Sequence, residues 1–208
     1  MDWGLARRQL NDALRRMAEE AHGRAAVEKF VQERLEESLS GWLEQWLGGK
    51  PGRGKRTSAL TAAEQVARLL KPRVQEPSLL IGAGTGAMAA ALGVGSAIES
   101  EAWRLQVARA AFPGLAIASG DFFQTEGRWR TIVAVDYLRS LARTDGYGQL
   151  RDFFPAVASR LTEDGRLLLS DLQAYQDDCV AQLAALEFEI EEIVAVPASD
   201  RMVLIAQK

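Results

Sequence analysis

The chain has 208 residues, 48% hydrophobic and 25% charged, which suits one α/β domain with an extension or two small domains. Its net charge of −3 argues against nucleic-acid binding by the whole surface, and no apolar run approaches the roughly 20 residues that span a bilayer. Cys179 and His22 are the only residues of their types, so we expect no disulfide, no metal site and a cytoplasmic location.

The first 47 residues predict helices. Leu5, Leu10, Leu14 and Met17 recur at helical spacing, and a second apolar stripe follows the break at His22–Gly23. That second stripe consists of Val27, Val31, Leu35, Leu39, Trp42 and Trp46. We expect residues 1–56 to form a helical region and linker. Its apolar faces would cover the carboxyl ends of the sheet strands or form a homodimer interface, since monomers seldom expose such patches.

A basic segment, Lys50–Arg56, ends this region with four cations in seven residues. We favour a solvated linker. The alternative is a phosphate-binding patch for RNA or for a phosphopantetheine carrier, because clustered cations create a local field despite the acidic total. Thr61 and Glu64 then have capping-box spacing, which predicts a short helix from Thr61 to about Leu70.

From Ser78 onward, short apolar runs alternate with amphipathic segments, as in buried parallel strands joined by helices. The predicted strands are Leu79–Ile81, Ala97–Ile98, Leu115–Ala118, Thr131–Val135 and Arg166–Ser170. The predicted helices are Glu101–Ala111, Tyr147–Leu161 and Ala174–Leu186. Phe188–Val196 and Arg201–Gln207 predict a closing antiparallel hairpin. Residues 57–208 are therefore predicted to form a doubly wound, Rossmann-like α/β domain of five βα units and a hairpin.

The first predicted strand runs straight into the glycine-rich turn Gly82–Ala83–Gly84–Thr85–Gly86. Glycine has no Cβ, so it accepts positive φ and lets a ligand approach the backbone closely. A turn of this kind between a strand and a helix forms the floor of a nucleotide-type pocket.

The order of elements from about Thr61 to the C-terminus resembles a class I S-adenosylmethionine-dependent methyltransferase. The resemblance implies that Gly82, Ala83, Gly84 and Gly86 lie beside the methionine part of the cofactor. It also implies that Glu99, at the end of the second strand, holds both ribose hydroxyls; a carboxylate can accept two such hydrogen bonds.

The later motifs extend the resemblance. Asp121 and Phe122 follow the third strand, where the family has an acid that binds the adenine amino group and an apolar residue that covers its ring. Asp136–Tyr137–Leu138 follows the fourth strand, where the family places residues near the reacting methyl group. Asp164–Leu169 resembles the family's turn and fifth strand.

The sequence also departs from the family. Leu80 stands where an acid is common two residues before the first glycine, and only Ala87–Leu92 remains for the first helix. Gly82-x-Gly84-x-x-Ala87 with Glu99 also fits a dinucleotide fingerprint, which would bind NAD. The terminal hairpin favours the methyltransferase sheet.

The sequence thus predicts S-adenosylmethionine-dependent methyl transfer to a small-molecule acceptor. No catalytic residue can be assigned: Asp136 could act as a base and Tyr137 could position a substrate, but we favour both as pocket wall. Two alternatives stay open. One is an RNA methyltransferase that uses the basic segment, and the other is a non-catalytic methyltransferase-like module whose N-terminal helices bind a partner.

Overall fold

A computed structural model describes residues 1–20, 22–36, 58–145 and 148–208. The helices in these ranges are α1 (Trp3–Glu19), α2 (Arg24–Glu36), α3 (Ser58–Leu70), α4 (Ala87–Leu92), α5 (Ala102–Ala111), α6 (Tyr137–Asp145), α7 (Gly148–Arg160) and α8 (Gln176–Ala185). The strands are β1 (Ser78–Ile81), β2 (Ser96–Glu99), β3 (Ile117–Ser119), β4 (Trp129–Val135), β5 (Leu161–Leu172), β6 (Glu189–Ala195) and β7 (Arg201–Gln207). Short 3₁₀ helices lie at Lys71–Arg73, Phe122–Gln124 and Gln173–Tyr175.

The strands form one seven-stranded sheet in the order β3-β2-β1-β4-β5-β7-β6. Strands β1 to β5 are parallel, and β7 runs antiparallel between β5 and β6. This confirms the predicted doubly wound, Rossmann-like sheet with its antiparallel hairpin. The order reverses between β1 and β4, so the crevice beside these two strands is the expected ligand position.

Two apolar layers bury the sheet, because successive strand residues point to opposite faces. Leu80 packs with α1 to α5 on one face, whereas Leu79 and Ile81 pack with α6, α7 and α8 on the other. Leu79, Leu80 and Ile81 of β1 are therefore all core residues. The near-continuous apolar runs of the sequence follow from this burial on both faces.

The N-terminal helices belong to the first of these layers. α1 packs against α4 and α5, and α2 packs against α5. Arg104 of α5 forms an ion pair with Glu33 of α2 at 2.8 Å. Leu5, assigned to the apolar stripe, is instead exposed, because the buried face of α1 is centred on its other apolar residues: Ala6, Leu10, Ala13, Leu14 and Met17. Trp42, Trp46 and the basic segment lie outside the described residues, and the domain boundary at residue 56 stays a prediction.

Two local predictions were wrong, and one helix was missed. Helix α3 begins at Ser58, so Thr61 lies inside it, and Glu64 pairs with Arg68 at 2.5 Å. The predicted five βα units are not all present, because the connection from β3 to β4 holds only the 3₁₀ turn Phe122–Gln124 in place of a helix. Its nine residues must cross from the edge of the sheet to β4, which leaves little length for a helix. Helix α6 was not predicted at all.

Candidate functional site

The predicted binding residues meet at the carboxyl ends of β1, β2, β3 and β4. β1 is the central strand of this group, since it pairs with β2 on one side and with β4 on the other. Parallel strands end at the same edge of a sheet, so the residues that follow them converge there. The sheet thus brings the glycine turn beside Glu99, with Asp121 and Asp136 at the ends of β3 and β4.

The glycine turn has the backbone conformation that its sequence predicts. Gly82, Gly84 and Gly86 all have positive φ, at 62°, 56° and 81°. Among the described residues, none has an atom within 4 Å of the place a Cβ would occupy on Gly84. The Gly84 backbone therefore faces open space, as a ligand-binding turn requires.

Gly86 has a different surrounding. A Cβ there would lie 3.0 Å from Cβ of Ala108 and 3.1 Å from Cδ2 of Phe112, both in the α5 region. Gly86 also immediately precedes α4. It therefore permits the end of the glycine turn to pack closely against Ala108 and Phe112, which is a structural role that the sequence motif did not separate from ligand binding.

Glu99 is the buried acid of the site, with only 2% of its surface exposed. Its Oε2 accepts a hydrogen bond from the backbone N–H of Gly84 at 2.6 Å, and its Oε1 accepts one from Glu101 at 2.8 Å. These two bonds fix the carboxylate beside the glycine turn. A carboxylate has about four acceptor positions, so roughly two remain for a ligand such as a ribose diol.

Asp121 caps the 3₁₀ turn that follows β3. Its Oδ1 accepts a hydrogen bond from the backbone N–H of Phe123 at 3.1 Å, and the residue is exposed. Within the described part of the chain, its second carboxylate oxygen receives no hydrogen bond. Asp121 thus caps this turn through one oxygen, and the other oxygen stays available to a ligand.

Phe122 is 1% exposed and packs in the core rather than on the surface of the site. Its ring makes an edge contact with Tyr137, at 6.5 Å between centroids, and a tilted contact with Phe153, at 5.9 Å. Phe122 therefore packs behind the site, against the ring of Tyr137, and does not line it.

Asp136 has φ of 56° at the end of β4, and Arg201 Nη1 donates to its Oδ1 at 2.5 Å. Arg201 opens β7, so this ion pair ties the terminal hairpin to the β1–β4 crevice. No sequence pattern indicates this pair, because the two residues are 65 positions apart. With one oxygen held by a guanidinium, Asp136 is a poor candidate for a general base.

Asp171, near the end of β5, is fully buried and was not predicted. Its Oδ2 accepts hydrogen bonds from the backbone N–H of Leu138 at 2.8 Å and of Arg139 at 3.3 Å. It thereby satisfies two otherwise unpaired donors at the start of α6. Burial, with a smaller contribution from the nearby charge of Asp136, raises the pKa of Asp171 to about 6, although the backbone hydrogen bonds to its carboxylate act to lower it.

Tyr137 forms one wall of the site. A Cβ on Gly82 would lie 2.9 Å from Cδ2 of the Tyr137 ring. Burial raises the pKa of Tyr137 well above its usual value, and the charges of Asp121 and Glu99 raise it further. The phenol therefore stays protonated and can donate a hydrogen bond, but it cannot serve as a base near neutral pH.

Neither the single cysteine nor the single histidine forms a second site. Cys179 is buried, and burial raises the pKa of its thiol to about 12, so it is not a nucleophile. His22 is exposed, and its backbone carbonyl accepts a hydrogen bond from Gln106. Within the described ranges, no three His, Cys, Asp or Glu residues are grouped so as to hold a metal ion.

Comparisons with known proteins identify the fold. No protein-family model matches the chain, and no curated protein sequence matches it significantly. Solved structures do match, with a TM-score of 0.62 both to magnesium protoporphyrin IX methyltransferase from Synechocystis PCC 6803 and to the N-methyltransferase NodS from Bradyrhizobium japonicum WM9. Each is 15% identical; the first match covers 82% of this chain and 91% of the other, the second 74% and 98%.

The ribosomal protein L11 methylase from Lactobacillus delbrueckii subsp. bulgaricus matches with a TM-score of 0.54 at 20% identity, over 74% of this chain and 79% of that one. Among the described helices, none combines the length and apolarity needed to cross a membrane. The strand order, the glycine turn and these structural matches all indicate the same fold. The chain has the fold of the class I S-adenosylmethionine-dependent methyltransferases.

Proposed function

We propose that the protein binds S-adenosylmethionine and transfers its methyl group to a small-molecule acceptor. The observation that carries the proposal is the position of Glu99. Its buried carboxylate is held by the backbone of Gly84 and of Glu101, next to a glycine turn that faces open space.

The residues present suit this cofactor. The remaining acceptor positions of Glu99 match the two ribose hydroxyls, and the available oxygen of Asp121 matches the adenine amino group. The open backbone at Gly84 leaves room for the methionine portion. Leu80 is buried in the core, so the methionine amino group must find its acceptor elsewhere, among backbone carbonyls of the crevice or at Asp136.

When bound, the cofactor would supply a methyl group on a positively charged sulfonium, and transfer of that group to an acceptor would break the carbon–sulfur bond and leave a neutral thioether. Much of the catalysis of such a reaction can come from holding two reactants in a closed site. The titratable groups of the site suit a reaction that needs no protein base, because Tyr137 is held protonated and Asp136 is paired with Arg201. We therefore propose an acceptor that is nucleophilic without a protein base.

The matched structures support a transferase but name different acceptors. They include a magnesium protoporphyrin IX methyltransferase with bound S-adenosylmethionine, a glycopeptide N-methyltransferase with sinefungin and a ribosomal protein methylase. Acceptors in this fold thus range from small molecules to proteins. The small-molecule class is our proposal, supported by the net negative charge of the chain.

Calorimetric titration of the full chain with S-adenosylhomocysteine, S-adenosylmethionine and NAD tests the proposal. We expect binding of the first two and not of NAD. Glu99→Gln removes the charge and one acceptor, which should weaken S-adenosylhomocysteine binding about tenfold or more, since a hydrogen bond to a charged group contributes about 1.5–3 kcal/mol.

Glu64→Gln is the matched control, because Glu64 lies on α3 and pairs only with Arg68 among the described residues. It should bind like the parent. NAD binding without S-adenosylhomocysteine binding would replace the proposal with the dinucleotide interpretation. Binding of neither ligand would favour a non-catalytic module.

A further inference from the structure

Arg160, the last residue of α7, holds the turn that carries Asp121. Its Nε donates to the carbonyl oxygen of Thr125 at 2.7 Å, and its Nη2 donates to that of Phe123 at 2.8 Å. Its Nη1 donates to the carbonyl of Ala156 in its own helix at 3.1 Å. The guanidinium carbon also lies 5.1 Å from the centre of the Phe122 ring.

These contacts require the shape of arginine. Three nitrogens of one planar group donate in fixed, diverging directions while the plane covers an aromatic ring. A lysine ammonium has the same charge but cannot bridge the same carbonyls and cover the ring at once. Arg160 therefore joins α7 to the loop after β3 through one rigid group.

The turn that Arg160 holds is also closed from within. The hydroxyl of Thr125 donates to the carbonyl of Asp121 at 2.8 Å, and the carboxylate of Asp121 accepts from the N–H of Phe123. The direction of the second Asp121 oxygen thus depends on the positions of the carbonyls that Arg160 binds. Asp121 itself is exposed, so little side-chain packing fixes it.

We propose that Arg160 is a positioning residue for nucleobase recognition. It acts through the Asp121 turn and keeps the available carboxylate oxygen directed at the exocyclic amino group of a 6-aminopurine. The inference rests on the proposed function, because it assumes that an adenosyl ligand occupies the crevice. Arg160 makes no contact with the reacting atoms and is not a catalytic residue.

The test compares two ligands that differ at one group. S-adenosylhomocysteine carries an amino group at purine C6, whereas S-inosylhomocysteine carries a carbonyl oxygen, which repels a carboxylate. Calorimetry on the parent should show about a tenfold or larger preference for the adenosyl ligand, as expected for a hydrogen bond to a charged group. In Arg160→Lys the preference should fall below about threefold, mainly because the adenosyl ligand binds less tightly.

Arg166→Lys is the matched control. Arg166 donates to Glu191 through Nε and Nη2 at 3.0 and 2.8 Å, and it belongs to the β5–β6 side of the sheet. This variant should keep the parental preference. Hydrogen exchange of segment 120–126 in the ligand-free protein supplies a second readout: it should become faster in Arg160→Lys and stay unchanged in Arg166→Lys.

Asp121→Asn separates positioning from general destabilisation, because its amide can donate to the inosyl carbonyl and should remove the preference directly. If Arg160 acts through Asp121, adding Arg160→Lys to Asp121→Asn should change the ratio of the two affinities no further. A parental ratio retained in Arg160→Lys would overturn the inference alone. A parent that binds neither ligand would overturn the proposed function and this inference with it.

Discussion

The ring of Tyr137 lies against the backbone of Gly82 so closely that a Cβ at residue 82 would be 2.9 Å from the ring carbon Cδ2. This contact joins the glycine turn after β1 to the first residue of α6 after β4. It lies at the point where the strand order reverses, so both residues form part of the proposed cofactor site.

We predict that Gly82→Ala destabilises the protein by about 2–5 kcal/mol. The estimate combines an L-residue at φ of 62°, which costs about 1–2 kcal/mol, with overpacking against the ring, which costs about 1–3 kcal/mol. Urea unfolding measures it. Gly114→Ala is the control, because a Cβ there meets no described atom within 4 Å and no positive φ is involved. Equal stability of the two variants would contradict the close contact.

The second prediction concerns pH and Asp171. Burial raises its pKa from 3.8 to about 6, so between these values the folded state binds more protons than the unfolded state. Stability from this group is therefore greatest at low pH and is lost as the pH rises toward and through 6. The stability of the parent minus that of Asp171→Asn should fall by about 2–3 kcal/mol between pH 4 and 7.

Urea titrations of both proteins at several pH values measure this difference. Asp12→Asn, at an exposed position of α1, serves as control. A difference that rises with pH would mean that the ionised carboxylate stabilises α6 more than its burial costs.

The third prediction concerns α1 and α2. Deleting residues 1–49 uncovers apolar surface on α4 and α5, including Val107 and Ala108, which are fully buried in the intact chain. We expect the truncated protein to aggregate, as exposed patches of this kind predict. Light scattering after size-exclusion chromatography measures the outcome, and the same measurement on the full chain tests for the homodimer. A stable, monomeric truncated protein would contradict the prediction.

The fourth prediction separates acceptor classes. If the acceptor is a small molecule, replacing Lys50, Arg53, Lys55 and Arg56 with serine should leave methyl transfer to a metabolite extract unchanged. If RNA is the acceptor, the parent should retain RNA on filters, and retention should fall steeply with salt through counterion release. Filter binding at two salt concentrations decides between them. Tight, salt-sensitive retention that disappears in the serine variant would overturn the small-molecule proposal.

The sequence by itself determined the class of fold and the place of the glycine turn at the carboxyl end of its first strand. Short apolar runs require burial on both faces, and the residues between them allow parallel crossovers, so the alternation predicts a doubly wound sheet. The glycine turn could be recognised from the sequence because positive φ and close approach of a ligand require glycine. Glu99 could be recognised because a carboxylate at the end of a predicted strand is a feature of the local sequence.

Other local features were ambiguous. Thr61 and Glu64 match a capping box, but the same spacing also occurs inside a helix, where Glu64 meets Arg68 one turn later. Gly86 matches a ligand-binding motif, yet its surroundings are Ala108 and Phe112. A sequence motif specifies residue types at fixed spacing. Whether such a residue packs in the fold or binds a ligand depends on its spatial neighbours, which can come from distant parts of the chain.

Only the tertiary structure decided which distant groups act together. Arg201 neutralises Asp136 across 65 residues, and Asp171 caps a helix that begins 34 residues earlier. Arg160 holds a turn 35 residues before it. These partners lie on different elements and share no sequence spacing. Their contacts arise because the parallel sheet gathers the ends of its strands at one edge, where burial makes each unpaired charge or donor costly enough to select a partner.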